Sequence, residues 1–257
     1  MEKSKMASKK NELAMANGGE VVVSNELPDW LVGKGAARGA ENVTTDDMII
    51  PRIELVQALS PARKKTDAAY IEGAEEGMLY NNVTRELYGE AVTVVPVYYT
   101  KQYLVWKDRK AGGGGSNGFR GAFASKSLAD DAIAALGEEG LEAVDTAQHF
   151  VLVRYNEQWQ EAVLSMAKSK MKVSKRWNSL MRLTNTDSFS RAYKLSAITE
   201  TNARNESYFN YNVTPLGFVQ KDIYERAEKL YETIRQGGVK VSADYDGEVA
   251  AAAESEY

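Results

Sequence analysis

AVTVVPVYYTKQYLVWK, residues 91–107, decides the fold. The stretch is rich in valine and tyrosine, has no glycine, and predicts a β-strand. It is too long for one ordinary strand. Strands of this length bend or bulge, and Pro96 marks a place for it. A long, coiled first strand is a feature of small closed barrels. After Pro96 the alternation puts Tyr99, Lys101, Tyr103, Lys107 and Arg109 on one face. Leu104 and Trp106 fall on the other face and read as core. Rings and cations that alternate suit a single-stranded nucleic acid. Rings stack on bases at ~1–3 kcal/mol each, and cations take the phosphates between them. The same pattern also fits a half-buried sheet whose tyrosines pack under a loop, and both readings stay open.

Before this strand, residues 1–27 are polar, broken by Asn17-Gly18-Gly19, and read as mobile. Leu27-Pro28-Asp29-Trp30-Leu31-Val32-Gly33 is an apolar island that packs on the same chain or on a partner. Residues 46–57 read as extended, because Pro51 disfavours helix before it. Ser60-Pro61 starts a turn or short helix, and residues 77–83 read as a strand ending in a turn.

After it, Lys110 extends the cationic run and a glycine-rich loop follows (residues 111–118). The loop lacks the GxxxxGK[ST] spacing of a phosphate cradle. With Phe119, Arg120 and Phe123 behind it, it reads as a flap over a bound strand or as a plain flexible insertion. Ser127 with Asp130 resembles a capping box for a short helix that Gly137 closes. Residues 112–145 therefore read as an insertion between barrel strands.

Strands are predicted at residues 149–155 and 160–167. Helical spacing follows at 168–184, with Val173, Trp177, Leu180 and Met181 inward. The cations Lys168, Lys170, Lys172, Lys175 and Arg176 fall in this segment. They line a groove or form a solvated face. A hairpin (192–201 with 207–213) turns at Arg204-Asn205. A last amphipathic helix, residues 221–236, buries Ile223, Ala227, Leu230 and Ile234 and ends at Gly237-Gly238.

Strands, a helix, then a hairpin predict a mainly β fold with helices, of the α+β class. It would be an OB-like five-stranded Greek-key barrel with an inserted loop/helix segment and a C-terminal helix. Three regions are expected: a flexible arm at 1–45, a nucleic-acid-binding domain at 46–236 and an acidic disordered tail at 237–257.

Charge is unevenly placed. Between Phe150 and Arg204 there are ten Lys/Arg against four Asp/Glu, in a chain of net charge −4. Residues 241–257 hold five carboxylates and no Lys or Arg, and end on an aromatic. A cationic body attracts phosphate, and such a tail competes for the same surface or recruits proteins. Zero cysteines exclude disulfides and thiolate chemistry. One histidine, His149, argues against a His metal site or triad and reads as structural. The pairs Asp46-Asp47, Asp130-Asp131 and Glu138-Glu139 lack the layout of a two-metal site and read as solvated surface. No catalytic residue, metal or cofactor is expected. No apolar run spans a membrane and no secretory signal opens the chain, so a cytoplasmic location is expected, that of the host cell if the chain is phage-encoded.

Taken together, the segments resemble single-stranded-DNA-binding proteins of tailed bacteriophages. The resemblance rests on Ile50-Pro51-Arg52-Ile53, Gln57-Ala58-Leu59-Ser60-Pro61, and Gly89 leading into Val92-Thr93-Val94-Val95-Pro96. It continues through Trp106 before a glycine-rich loop, residues 166–177, and the acidic tail. It implies an OB-type core, often dimeric, that binds single-stranded DNA with little sequence preference. It also implies that Asp244, Asp246, Glu248, Glu254, Glu256 and Tyr257 contact replication partners such as polymerase and helicase-primase. The neutral patch at residues 250–253 makes this tail less acidic than the strongest examples. The expected role is to coat single-stranded DNA in phage replication or recombination. The alternative is a phage virion-associated or accessory protein that self-assembles through its β-rich body. A nuclease would need a metal-ligand cluster, which the sequence does not offer.

Overall fold

Strand β4 (Ala91–Lys107) is the spine of the protein. The computed structural model describes residues 50–108 and 118–236. Before β4 come β1 (Ile53–Leu55), β2 (Leu79–Asn81) and β3 (Leu87–Gly89). After it come β5 (Phe119–Phe123), helix α1 (Lys126–Leu136), β6 (Leu141–Tyr155) and β7 (Gln158–Ala167). Helix α2 (Met171–Leu183), β8 (Arg191–Thr201), β9 (Ser207–Phe218) and α3 (Lys221–Arg235) complete the order.

One edge of β4 pairs with β6, from Thr93–Arg154 to Lys107–Leu141. The other edge is shared. Ala91–Val94 pairs with β8, and Tyr103–Trp106 pairs with β5. The sheet runs β7-β6-β4-β8-β9, all neighbours antiparallel. The α+β expectation holds, and α2 lies between the third and fourth strands of this set. A smaller sheet, β1-β2-β3, stands beside it.

The expected bend is a bulge between Pro96 and Tyr98. Proline has no N–H to give the ladder, which favours an irregularity there. The bulge changes which residues face inward. Ahead of it, Val92 and Val94 enter the main core with Val151, Val153, Leu164, Trp177, Tyr193 and Leu195. Beyond it, Tyr99 stands opposite His149 and continues that same face. Val95 and Val97 face the other way, into a second core with Phe150, Leu152 and Val163, closed by Ala227, Leu230 and Ile234 of α3. Both faces of the strand are thus covered along its first half.

The expected closed barrel is modified. Among the described residues no ladder joins β7 to β9. The segment around β1 occupies that seam instead. Val163 N–H donates to Pro51 O (2.8 Å) on the β7 side. On the β9 side, Tyr211 Oη donates to Ile53 O (3.2 Å). Gln57 bonds both backbone groups of Phe209, giving Nε2 to its O (2.7 Å) and accepting from its N at Oε1 (3.1 Å).

Two local readings shift. Helix α1 starts earlier than the Ser127 box implies. Ser125 is its N-cap, and its Oγ accepts from Leu128 N–H at 3.3 Å. Gly137 ends it in the left-handed region (φ 63), as expected. Strand β6 begins at Leu141, so the inserted segment is shorter than the sequence implies. Among the described residues no helix is long and apolar enough to cross a membrane.

Candidate nucleic-acid interface

Three consecutive same-face positions of β4 form the centre of the site. Tyr99 is 38% exposed. Its ring centroid lies 5.1 Å from that of His149, tilted by 58°. His149 is fully buried and stacks on Trp177 of α2, with centroids 4.6 Å apart and planes 19° apart. Its Nε2 lies 2.8 Å from Ser174 Oγ. Burial pushes His149 down to about 3, so the ring is neutral near pH 7. Tyr99 therefore rests on a fixed aromatic column that runs into the core. Trp177 and His149 are structural, as the sequence implied.

Lys101 is exposed and Tyr103 half-buried. Lys101 Nζ sits 5.4 Å from the Tyr103 ring centroid and 2.9 Å from Asp145 Oδ2. The hydrogen bond that Lys101 donates to Asp145 raises it above the ordinary lysine value. Asp145 stands directly opposite Tyr103 in the ladder. The next same-parity residue, Val105, is fully buried and ends the platform. Four residues of strand separate the two tyrosines by about 13 Å, so each ring can take its own base with Lys101 between them.

A cleft of about 440 Å³ adjoins the platform, lined by Glu142, Val144, Asp145, Lys168, Lys172 and Lys175 among others. The start of β6 forms one wall and the entry to α2 the other. Lys168 adopts the left-handed conformation (φ 50) where β7 hands over to α2, a geometry that costs a non-glycine residue ~1–2 kcal/mol. Lys168 Nζ is 3.7 Å from Glu142, and Lys172 Nζ is 2.7 Å from Glu200. Glu200 also accepts from Asn210 Nδ2 and Tyr208 Oη, both at 2.8 Å. Burial works against its charge, but the bonds from Asn210, Lys172 and Tyr208 prevail and hold its carboxyl below the usual range. Lys170 Nζ lies 4.9 Å over the Tyr211 ring. Lys175 and Arg176 are exposed, and among the described residues neither forms an ion pair.

The other sequence-predicted residues are placed differently. Lys107 and Arg120 converge on Glu138, at 3.3 Å for Lys107 Nζ and 2.9 Å for each of two Arg120 nitrogens. Arg120 above all, then Lys107, draws the Glu138 carboxyl down to about 2. Phe119 packs on Trp106 at 5.2 Å, within the small cluster of Leu104, Trp106 and Val144. These three fasten the inserted segment to the sheet and do not line the cleft. Arg109, Lys110, most of the glycine-rich loop, the arm at 1–45 and the tail with Asp244, Asp246, Glu248, Glu254, Glu256 and Tyr257 lie outside the described residues.

Glu142, Asp145 and Glu200 are the residues that sequence reasoning missed. Asp145 belongs to the polar start of β6, which carries no strand signal of its own. Once β6 is extended back to Leu141, its place across from Tyr103 follows. Among the described residues no group of three or more His, Cys, Asp or Glu is arranged to hold a metal ion.

The model of one phage protein family, the Pam3 phage gp34-like protein, matches residues 18–240. No curated protein and no solved structure matches the chain.

Proposed function

The chain belongs to the Pam3 phage gp34-like protein family, and we propose that it is a non-catalytic protein that coats single-stranded DNA during phage replication or recombination. The observation that carries this reading is the open platform: Tyr99 and Tyr103 flank Lys101 on one face of β4, beside a cleft with Lys168, Lys172 and Lys175. Bases would stack on the two rings, and the backbone between them would run past the cations. The β-rich body, with a helix between the third and fourth strands of its main sheet, supports this reading, because OB-type barrels offer a sheet face to nucleic acid. Fold alone does not assign function. The acidic tail would recruit replication proteins, as in the phage proteins the sequence resembles.

The test is a titration of labelled single- and double-stranded oligonucleotides at several salt concentrations. The reading expects tighter binding to single strands and a log–log fall of affinity with salt. Equal affinity for duplex, or no binding in dilute buffer, would overturn it. Leu216 and Phe218 near the end of β9 are 54% and 73% exposed. They favour a second reading, a virion-associated or accessory protein that assembles with itself. Light scattering that shows large assemblies, without oligonucleotide binding, would select it.

A further inference from the structure

The cations of the platform and cleft are held by carboxylates of unequal quality. Glu200 is well satisfied. Its side chain is 18% exposed and takes bonds from Lys172, Asn210 and Tyr208. Lys172 is therefore anchored. Asp145 is the opposite case. One oxygen takes Lys101 Nζ at 2.9 Å, while Oδ1 is shielded from solvent with no hydrogen-bond partner. A buried acceptor without a donor keeps its desolvation cost. The pair it belongs to is thus poorly compensated, and it is open enough for a ligand to reach, with side chains 41% and 40% exposed.

We infer that Asp145 is an internal stand-in for phosphate: it occupies Lys101 in the free protein and yields it to a backbone phosphate passing between Tyr99 and Tyr103. The inference rests on the single-strand reading and adds the residue that governs how readily the strand is admitted and released. Asp145 faces Tyr103 across the ladder, so the displaced carboxylate stays beside the strand and repels it. Lys101 then contributes little to the net salt dependence. The counterion released from the DNA phosphate is offset by one that the freed carboxylate takes up.

The experiment measures anisotropy of a labelled oligo-dT with the full chain across a salt series. Asp145→Asn should tighten binding by roughly threefold to tenfold at low salt and steepen the log–log salt slope by about 0.7. Glu225→Gln, which removes an ion-paired carboxylate from α3 (3.4 Å from Lys221 Nζ), should do neither. In a Lys101→Gln background the gain from Asp145→Asn should vanish, because the carboxylate acts through that lysine. A gain that persists there would show general repulsion and overturn the inference. So would unchanged or weaker binding by Asp145→Asn while the unsubstituted protein binds. If Asp145→Asn loses its circular-dichroism melt, Asp145→Ser carries the same expectation. Failure of the unsubstituted protein to bind at any salt would remove the single-strand reading itself.

Discussion

Replacing Tyr99 with alanine separates a stacking ring from a packing ring. In the free protein one part of the ring meets His149, at 5.1 Å and 58°, and 38% of the residue is open. Losing the aromatic contact and the partly covered ring should cost about 1–2 kcal/mol of stability. For a domain of this size that lowers Tm by roughly 2–8 °C, so the variant remains folded. Losing a base-stacking partner should cost a further ~1–3 kcal/mol in binding, which is about 5- to 150-fold in Kd. Two controls sharpen the result. Tyr99→Phe keeps the ring and should bind like the unsubstituted protein. The salt slope should not change in either variant, because no charge is removed. Anisotropy titrations at several salt concentrations, paired with circular-dichroism melts, read all of these quantities. A folded Tyr99→Ala that binds with unaltered affinity would refute the platform. A change in salt slope would show that the substitution had disturbed the cations and not the stack.

Other predictions concern the frame that holds the site. His149 has a folded-state value of about 3 against an ordinary 6.5. Between those values the unfolded chain carries a proton that the folded one refuses. Stability is therefore full above about pH 6.5 and falls on acidification by up to ~1.4 kcal/mol per pH unit. His149→Gln should flatten the pH dependence of urea unfolding in that window. An unchanged slope would mean that the ring accepts its proton in place. Gly77 has φ 85, and an added Cβ would meet Phe209 Cε1 at 2.8 Å; Gly89 has φ 81 but open space around it. Gly89→Ala should cost ~1–2 kcal/mol from backbone strain alone, and Gly77→Ala should cost more in the same denaturation assay.

What the sequence made legible follows from how local each signal is. Strand β4 carries its own β-branched and aromatic pattern, and it spans residues 91–107 as read. Helices α2 and α3 show period-3.6 apolar faces, and Trp177, Ala227, Leu230 and Ile234 are buried accordingly. Strand β6 was half hidden. Leu141-Glu142-Ala143-Val144-Asp145 has no strand chemistry, and it is held extended by pairing with the far half of β4. The α1 cap was misplaced because Ser125 and Ser127 offer the same hydroxyl, and only the chain's path chooses between them. For the site, spacing showed which cations and rings share a face. It could not show their partners. Glu138 lies 31 residues from Lys107, and Glu200 lies 28 residues from Lys172. Such pairings are set by tertiary packing and leave no local pattern.

The bulge after Pro96 gives one strand two jobs. Its first half buries alternate residues in the core, and its second half offers that same side to the surroundings. The display therefore depends on a count. Were Val97 taken into a regular ladder instead, Tyr99, Lys101 and Tyr103 would turn over toward the α3 side, with Tyr98, Thr100 and Gln102 in their place. Composition and charge would be unchanged, yet the presented surface would have lost its lysine and one of its two rings.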